Sequence, residues 1–156
     1  MKKERGTLVI SSPEFIEDGN IPRQYTADGR GVNPPLTIDR VPDGTQYLAL
    51  IMEDPDASKG TFTHWVLWDI PAAGSISEDS KPGVSGRNST GKTGYIPPNP
   101  PAETGDHRYY FHIFALDTGL DLRPGAEQAA LEKAMEGHIL AAGTLMAHYG
   151  RVEEHA

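Results

Sequence analysis

Residues 108–116, RYYFHIFAL, are the stretch that decides the fold class. Aromatic and β-branched side chains dominate it, and such side chains fit the pleated surface of a β-sheet. On either side, short apolar runs are separated by clusters of glycine and proline. We therefore predict a strand here, within a chain built mainly from strands.

Other apolar runs predict further strands. They lie at residues 7–11, 36–39, 46–53 and 61–70, and a last strand is expected at residues 144–151. Glycine and proline between these runs are turn and loop residues, and they argue against a helical bundle. Most neighbouring strands are expected to pair in the antiparallel sense.

Helical spacing occurs only towards the C-terminus. Leu131, Ala134, Met135 and Ile139 form an apolar stripe that predicts one helix over residues 126–142. The predicted fold class is mostly β, an antiparallel, Greek-key-like β-sandwich with a C-terminal helix.

The region from residue 71 to residue 106 shows no convincing element, and residues 81–106 are predicted to form a long Gly/Pro-rich loop. Its prolines lower the entropy cost of ordering, which favours a fixed functional loop. We expect residues 1–156 to form a single domain, with residues 1–6 as a flexible tail.

Composition excludes several classes of protein. The chain has 156 residues, no cysteine and a net charge of −8. Without cysteine there is no disulfide, thiol nucleophile or thiolate metal site. The acidic balance argues against nucleic-acid binding, and no apolar run is long enough to span a membrane. With no signal peptide recognised, the sequence-based expectation is a cytoplasmic protein.

One motif matches a known pattern without its context. Residues 86–93, GRNSTGKT, fit the phosphate-binding P-loop pattern in full. That loop binds phosphate only when a strand precedes it and a helix follows. Here the preceding residues are polar, and Pro97 and Pro98 stop any following helix within about one turn. We reject the nucleotide-binding interpretation.

Polar groups at predicted strand ends are the better candidates for a site. Asp54 and Asp56 flank a proline directly after the strand at residues 46–53, where the alternative is a solvated turn. His64 lies within a strand, and period two places it on one face with Phe62, Val66 and Trp68. The alternative for such a histidine is a structural role in the core.

The third polar segment follows the Gly/Pro-rich loop. His107 and Tyr109 share one face of their strand, opposite Arg108 and Tyr110. Imidazole, phenol and loop N–H groups would donate hydrogen bonds to an anion. The same residues would also suit a metal site with two histidines and one carboxylate, or acid–base hydrolysis. These alternatives stay open at the level of the residues.

Taken together, these segments resemble the phosphatidylethanolamine-binding protein family, whose animal members include the Raf kinase inhibitor protein. The match is to its bacterial and archaeal branch and runs from about Ser11 to Arg151. The resemblance rests on the following motifs: YTADG (25–29), NPPL (33–36), DPDA (54–57), FTHWV (62–66), DIP (69–71), GRN (86–88), GY (94–95), PP (100–101), HRY (107–109), ALD (115–117) and GHILA (137–141).

The resemblance implies a β-sandwich with a C-terminal helical segment and a pocket for phosphate-like anions or phosphorylated headgroups. The residues it implies in ligand binding are Asp54, Asp56, His64, Asn99, Pro100, Pro101, His107 and Tyr109. It implies no catalytic residue, metal or cofactor, so we expect a binding protein rather than an enzyme. A kinase or protease whose activity the protein would modulate, and a homodimer, stay open as partners. The alternative function is a hydrolase using the Asp/His cluster, with or without a metal.

Three departures from the family pattern bear on the site. Pro97 stands where the family usually has glycine, which removes one backbone donor from the loop, so Asn99 N–H would contribute more. Residues 102–104, Ala-Glu-Thr, resemble a short insertion that brings the negative charge of Glu103 near an anion site. Ala147 and His148 replace the common Gly-Thr before Tyr149.

Overall fold

The computed structural model describes residues 6–151. This part of the chain forms nine strands and one α-helix. In chain order they are β1 (Gly6–Thr7), β2 (Val9–Ser11), β3 (Leu36–Asp39), β4 (Tyr47–Asp54), β5 (Phe62–Pro71), β6 (Ser75–Ile76), β7 (Val84–Ser85), β8 (His107–Leu116), α1 (Gln128–Met135) and β9 (Ile139–Tyr149). The prediction of a mostly β protein is confirmed.

The strands form two sheets. The larger has six strands in the order β1-β9-β8-β4-β5-β7, and the smaller has three in the order β2-β3-β6. All pairs are antiparallel except β1 with β9, which is parallel. The predicted strand at residues 108–116 is β8, and it lies between β9 and β4 within the larger sheet.

Each face of the larger sheet buries its own apolar cluster. On one face, Leu50, Trp65 and Phe111 pack with side chains of the smaller sheet such as Ile38. On the other face, α1 places Leu131 and Met135 against Ala49, Ile51, Val66 and Trp68. Burial of each large apolar side chain contributes roughly 1.5–3 kcal/mol, so both faces stabilise the sheet.

The helix is shorter than predicted, because its second half is not helical. Residues 126–142 were expected to be helical, but α1 ends at Met135. Gly137 has a φ of 81°, a left-handed conformation that ends the helix. Ile139 then begins β9, because residues 139–149 pair with β8 across the sheet. The stripe at helical spacing therefore joins two different elements.

The region from residue 71 to residue 106 contains more regular structure than expected. It includes the end of β5, β6, β7 and a short 3₁₀ turn, Ala102–Thr104. β7 pairs with β5. Gly83, just before β7, has a φ of 69°, and no side chain fits there because an added Cβ would lie 2.2 Å from the carbonyl oxygen of Trp68. Gly6, expected in a flexible tail, lies in β1 and pairs with Ala141. Residues 1–5 lie outside the described residues.

Candidate functional site

The candidate site lies at one end of the larger sheet. β4 runs antiparallel to both β5 and β8, so its last residue lies beside their first residues. Asp54 ends β4, Phe62 begins β5 and His107 begins β8. Segments that are far apart in the sequence therefore meet at this end.

A cavity of about 350 Å³ opens there. Its lining combines polar side chains with an apolar wall. The lining residues are Asp54, Ala57, Ser58, Phe62, His64, Thr90, Ile96, Pro97, Asn99, Pro100, Pro101, Thr104, His107 and Tyr109. The structure thus brings to one cavity all of the predicted binding residues except Asp56.

Asp54 and His107 form a buried pair at the base of the cavity. Asp54 Oδ2 lies 2.7 Å from His107 Nδ1, and the two side chains are only 5% and 4% exposed. A carboxylate only accepts, so Nδ1 donates and carries the proton. On the other side of the ring, Nε2 lies 2.8 Å from the hydroxyl of Thr104. Both ring nitrogens of His107 are therefore engaged.

His64 reaches the cavity through an irregularity in β5. Met52 pairs with Trp65 and Glu53 with Thr63, which leaves His64 without a partner position on β4. Such a bulge turns a side chain to the other face of a strand. The predicted shared face with Val66 is therefore wrong, because Val66 belongs to the cluster under α1 whereas His64 faces Tyr109, with ring centroids 5.4 Å apart.

The protonation of His64 follows from its surroundings. Its Nδ1 lies 2.6 Å from the carbonyl oxygen of Ile96, which can only accept, so Nδ1 carries the proton. Burial lowers the pKa of this imidazole, although the nearby charge of Asp54 opposes the shift. The ring is therefore neutral at neutral pH, and its Nε2 carries no proton.

Tyr109 adds a neutral donor. Its side chain is fully buried, and burial followed by the charge of Asp54 raises the pKa of the phenol. The hydroxyl therefore keeps its proton throughout the physiological range and can donate to a ligand.

The wall at Asn99 and Pro100 is held by a side chain beyond the last strand. Arg151 donates to the carbonyl oxygen of Pro100 (2.6 Å) and to Asn99 Oδ1 (2.5 Å). Asp28 holds the same guanidinium at 3.0 Å, and this contact, followed by one from the Tyr149 hydroxyl, keeps the pKa of the Asp28 carboxyl low. Because Asn99 Oδ1 is occupied by Arg151, the amide group of Asn99 is oriented with its donors free for other partners.

Asp56 lies outside the cavity. Its carboxylate accepts hydrogen bonds from the backbone N–H, Nε and Nη2 of Arg108 at 2.8–2.9 Å. This contact lowers the pKa of Asp56 to about 2. Asp56 therefore connects the turn after β4 to the start of β8.

Several cavity residues were not singled out by the sequence reasoning as ligand contacts. Thr104 belongs to the inserted segment and lies only three residues before His107. This closeness in the sequence could have indicated that Thr104 also lines the cavity. Thr90 comes from the segment that resembles a P-loop. Arg151 and Asp28 act from outside the lining, and no local pattern around Arg151 points to the cavity.

The segment resembling a P-loop has a different structure from a nucleotide-binding loop. Arg87 forms an isolated bridge with Thr93, and buried Asn88 accepts hydrogen bonds from the N–H and hydroxyl of Thr90. Residues 94–101, which follow it, contain no helix. The helix N-terminus that such a loop needs is therefore missing at this place.

Two further properties concern the described residues as a whole. Among residues 6–151, no group of three histidine, aspartate or glutamate side chains is placed to hold a metal ion. In the same range, no helix combines the length and apolarity needed to cross a membrane.

Comparison with known proteins decides the family. The sequence profile described as phosphatidylethanolamine-binding protein matches residues 11–150. The chain belongs to this family. A UPF0098 protein of Pyrococcus horikoshii is 44% identical over 96% of this chain and 79% of its own length. A UPF0098 protein of Methanothermobacter thermautotrophicus is 43% identical over 91% of this chain and 98% of its own.

Solved structures agree with the family fold. A phosphatidylethanolamine-binding protein homologue from Chlamydia trachomatis superimposes with a TM-score of 0.88 at 35% identity, covering 94% of this chain and 99% of that one. YbcL of E. coli, at 24% identity and a TM-score of 0.83, shares the fold. One relative from Mycobacterium tuberculosis, 42% identical over 88% of this chain and 71% of its own length, carries the name "Putative lipoprotein LppC".

Proposed function

We propose that this member of the phosphatidylethanolamine-binding protein family binds a small phosphate-like anion, free or as a phosphorylated headgroup, in the cavity at the end of the larger sheet. The observation that supports it most is the convergence of His64, Tyr109 and Asn99 on one cavity of about 350 Å³. These groups donate hydrogen bonds once His64 is protonated, and hydrogen bonds to an anion are roughly twice as strong as neutral ones.

The remaining predicted binding residues have separate parts in this proposal. The carboxylate of Asp54 fixes the ring of His107 through Nδ1, so Nε2 of the same ring can accept a hydrogen bond from the O–H of a protonated phosphate in place of the Thr104 hydroxyl. Pro100 and Pro101 form the wall that limits the size of the ligand. Asp56 supports the site from outside by its pairing with Arg108.

The pH dependence of binding follows from the pKa of His64. In the free protein burial lowers this pKa, whereas a bound anion favours the imidazolium and raises it. Binding therefore takes up a proton, and the affinity falls as pH rises through the raised value. A phosphate monoester gains its second charge near pH 6, which acts in the opposite direction. We expect the direct hydrogen bonds to dominate, with a dissociation constant for inorganic phosphate on the order of 0.1–1 mM.

The test is a titration of inorganic phosphate from about pH 5.5 to about pH 8.5 while histidine side-chain resonances are followed by NMR. His64→Ala should weaken binding at least about tenfold, the effect of losing one hydrogen bond to a charged group. His138→Ala is the matched control, because His138 pairs with Asp117 just beyond the opposite end of β8. Affinity that is flat with pH and equal in both variants would contradict the proposal. Phosphoethanolamine, titrated in parallel, distinguishes a headgroup from free phosphate.

Other parts of the proposal concern partners and location. Modulation of a kinase or protease is inferred from the family resemblance, and it predicts that a sensitive enzyme would be inhibited less when phosphate fills the cavity. Sedimentation tests whether the protein forms a homodimer. A single cooperative unfolding transition is expected if the chain forms one domain, and cell fractionation tests the cytoplasmic location.

The alternative function, a hydrolase, has one observation in its favour: the Thr104 hydroxyl lies 2.8 Å from His107 Nε2.

A further inference from the structure

Thr104, His107 and Asp54 form a chain of hydroxyl, imidazole and carboxylate inside the cavity. From this geometry we propose that Thr104 is a nucleophile that accepts the acyl group of a small, neutral carboxylic ester. The proposal goes beyond anion binding, because it assigns a covalent step to the same cavity.

The distances fit the roles of nucleophile, base and orienting group. Thr104 Oγ1 lies 2.8 Å from His107 Nε2, and His107 Nδ1 lies 2.7 Å from Asp54 Oδ2. An activated nucleophile requires both contacts at about 2.6–3.2 Å. Since Nδ1 carries the proton towards the carboxylate, Nε2 presents its lone pair to the hydroxyl.

The single proton of the Thr104 hydroxyl has two acceptors in reach. Oγ1 lies 2.9 Å from the carbonyl oxygen of Pro101 and 2.8 Å from His107 Nε2. The hydroxyl donates to one of them at a time, and rotation about one bond moves the proton to the other. The reactive form is the one that donates to His107.

The surroundings suit a neutral ester. The lining of the cavity also includes the apolar side chains of Phe62, Ile96 and Pro97. Tyr109 keeps its proton because burial raises the pKa of its phenol, so it is a donor available to an oxygen that becomes negative. Burial of His64 lowers the pKa of its imidazole, so the empty cavity gains no positive charge from that ring.

The reaction conserves atoms and electrons. Thr104 Oγ1 attacks the ester carbonyl carbon as its proton passes to His107 Nε2, and the carbonyl oxygen becomes an oxyanion. The intermediate collapses, the bond to the alcohol oxygen breaks, and His107 returns the proton to the leaving alcohol. Water then attacks the acyl-Thr104 ester with His107 as base, which releases the acid and restores the hydroxyl of Thr104.

The protein contains its own matched control. Thr144, His112 and Glu53 form a second chain of the same three chemical groups on β9, β8 and β4. There the nitrogens are reversed, with Nδ1 next to the hydroxyl and Nε2 next to the carboxylate. His112 and Glu53 are 27% and 25% exposed, and these residues are not part of the cavity lining.

The experiment is acylation by p-nitrophenyl acetate, read by intact mass and by peptide mapping. The wild type should gain one acetyl group on Thr104. Thr104→Ala should remove this adduct entirely, whereas Thr104→Ser, which keeps a hydroxyl at this position, should restore it. Thr144→Ala should leave the acetylation of Thr104 unchanged. Thr104 is exposed, so its variants are expected to fold, and a thermal melt checks this.

Two results would overturn the proposal. One is a wild type in which Thr104 carries no acetyl group at any time. The other is equal labelling of Thr104 and Thr144, which would mean that ordinary surface reactivity explains the adduct. Phosphate binding is followed independently at His64, so acetylation without phosphate binding would reject only the proposed binding function, and phosphate binding without acetylation would reject only the nucleophile.

Discussion

The pair between Asp56 and Arg108 makes a quantitative prediction about stability and pH. Asp56→Asn removes the charge that accepts hydrogen bonds from Arg108 Nε and Nη2 while it keeps the shape of the side chain. The pairing lowers the pKa of Asp56 from an ordinary 3.8 to about 2. A carboxyl with a lowered pKa stabilises the folded state when it is ionised.

The magnitude follows from the size of that shift. A difference between 3.8 and about 2 corresponds to roughly 2.4 kcal/mol as an upper limit, at 1.36 kcal/mol for each pKa unit. The Arg108 side chain is 46% exposed, and screening by water reduces the contribution of such a pair. We therefore expect Asp56→Asn to lower the free energy of unfolding by about 1 kcal/mol at neutral pH.

The pH dependence gives the prediction its sign. The stabilisation is complete above the unfolded pKa of 3.8 and is lost as pH falls through about 2. At about pH 3, the unfolded chain is mostly protonated and the folded carboxyl is mostly ionised, so about half of the difference should remain.

The assay is urea unfolding of the wild type and Asp56→Asn at about pH 7 and about pH 3. Asp39→Asn is the control, since Asp39 is exposed at the end of β3 and has no ion pair among the described residues. A loss that is the same at both pH values, or no larger than that of the control, would refute the assignment of the pKa shift to this pair.

Three further predictions concern stability and the rejected nucleotide site. Gly91→Ala should lower the free energy of unfolding by about 1 kcal/mol, because of the positive φ at this position alone. Gly83→Ala should lower it by at least about 2 kcal/mol more, because the added Cβ would meet the Trp68 carbonyl. Equal losses in urea unfolding would contradict the predicted clash at Gly83. Leu131→Ala should cost about 2–5 kcal/mol by leaving a void beneath α1, and a loss below about 1 kcal/mol would show that the helix contributes little. Lys92→Ala should leave Mg-ATP titrations by calorimetry unchanged, with no tight binding in either protein, and tight binding lost in the variant would restore the P-loop interpretation.

The sequence predicted β4, β5 and β8 closely because their local patterns agree with their final environment. Other strands were predicted less well: β7 was not predicted, β9 begins at Ile139 and not at residue 144, and the run at residues 7–11 divides into β1 and β2. β8 is rich in aromatic side chains. Tyr109, Phe111 and Ile113 lie in the apolar cluster beneath the smaller sheet, and Phe114 packs against the cluster beneath α1. Residues 46–53 and 61–70 differ from β4 and β5 by one residue at each end. Strand order and the parallel pair of β1 with β9 depend on contacts between distant segments, and no local pattern encodes them.

The candidate site was predictable where a side chain follows the regular strand period. His107 and Tyr109 share a face of β8, and the structure brings both to the cavity. His64 could be placed there only through the resemblance, since the bulge that turns it lies in the pairing of β4 with β5 and is invisible in either strand alone. The same applies to Arg151, whose contact with Asp28 spans most of the chain.

The late position of β9 in the sequence determines when the cavity can be completed during synthesis. Asp54, His64 and His107 leave the ribosome before β9, yet β9 lies between β1 and β8 in the finished sheet. Arg151, which holds the wall at Asn99 and Pro100, comes later still. A nascent chain that ends before residue 139 has every cavity-lining residue but neither this strand nor the side chain that fixes the wall. The cavity with its wall held by Arg151 is therefore complete only after both β9 and Arg151 have been added to the chain.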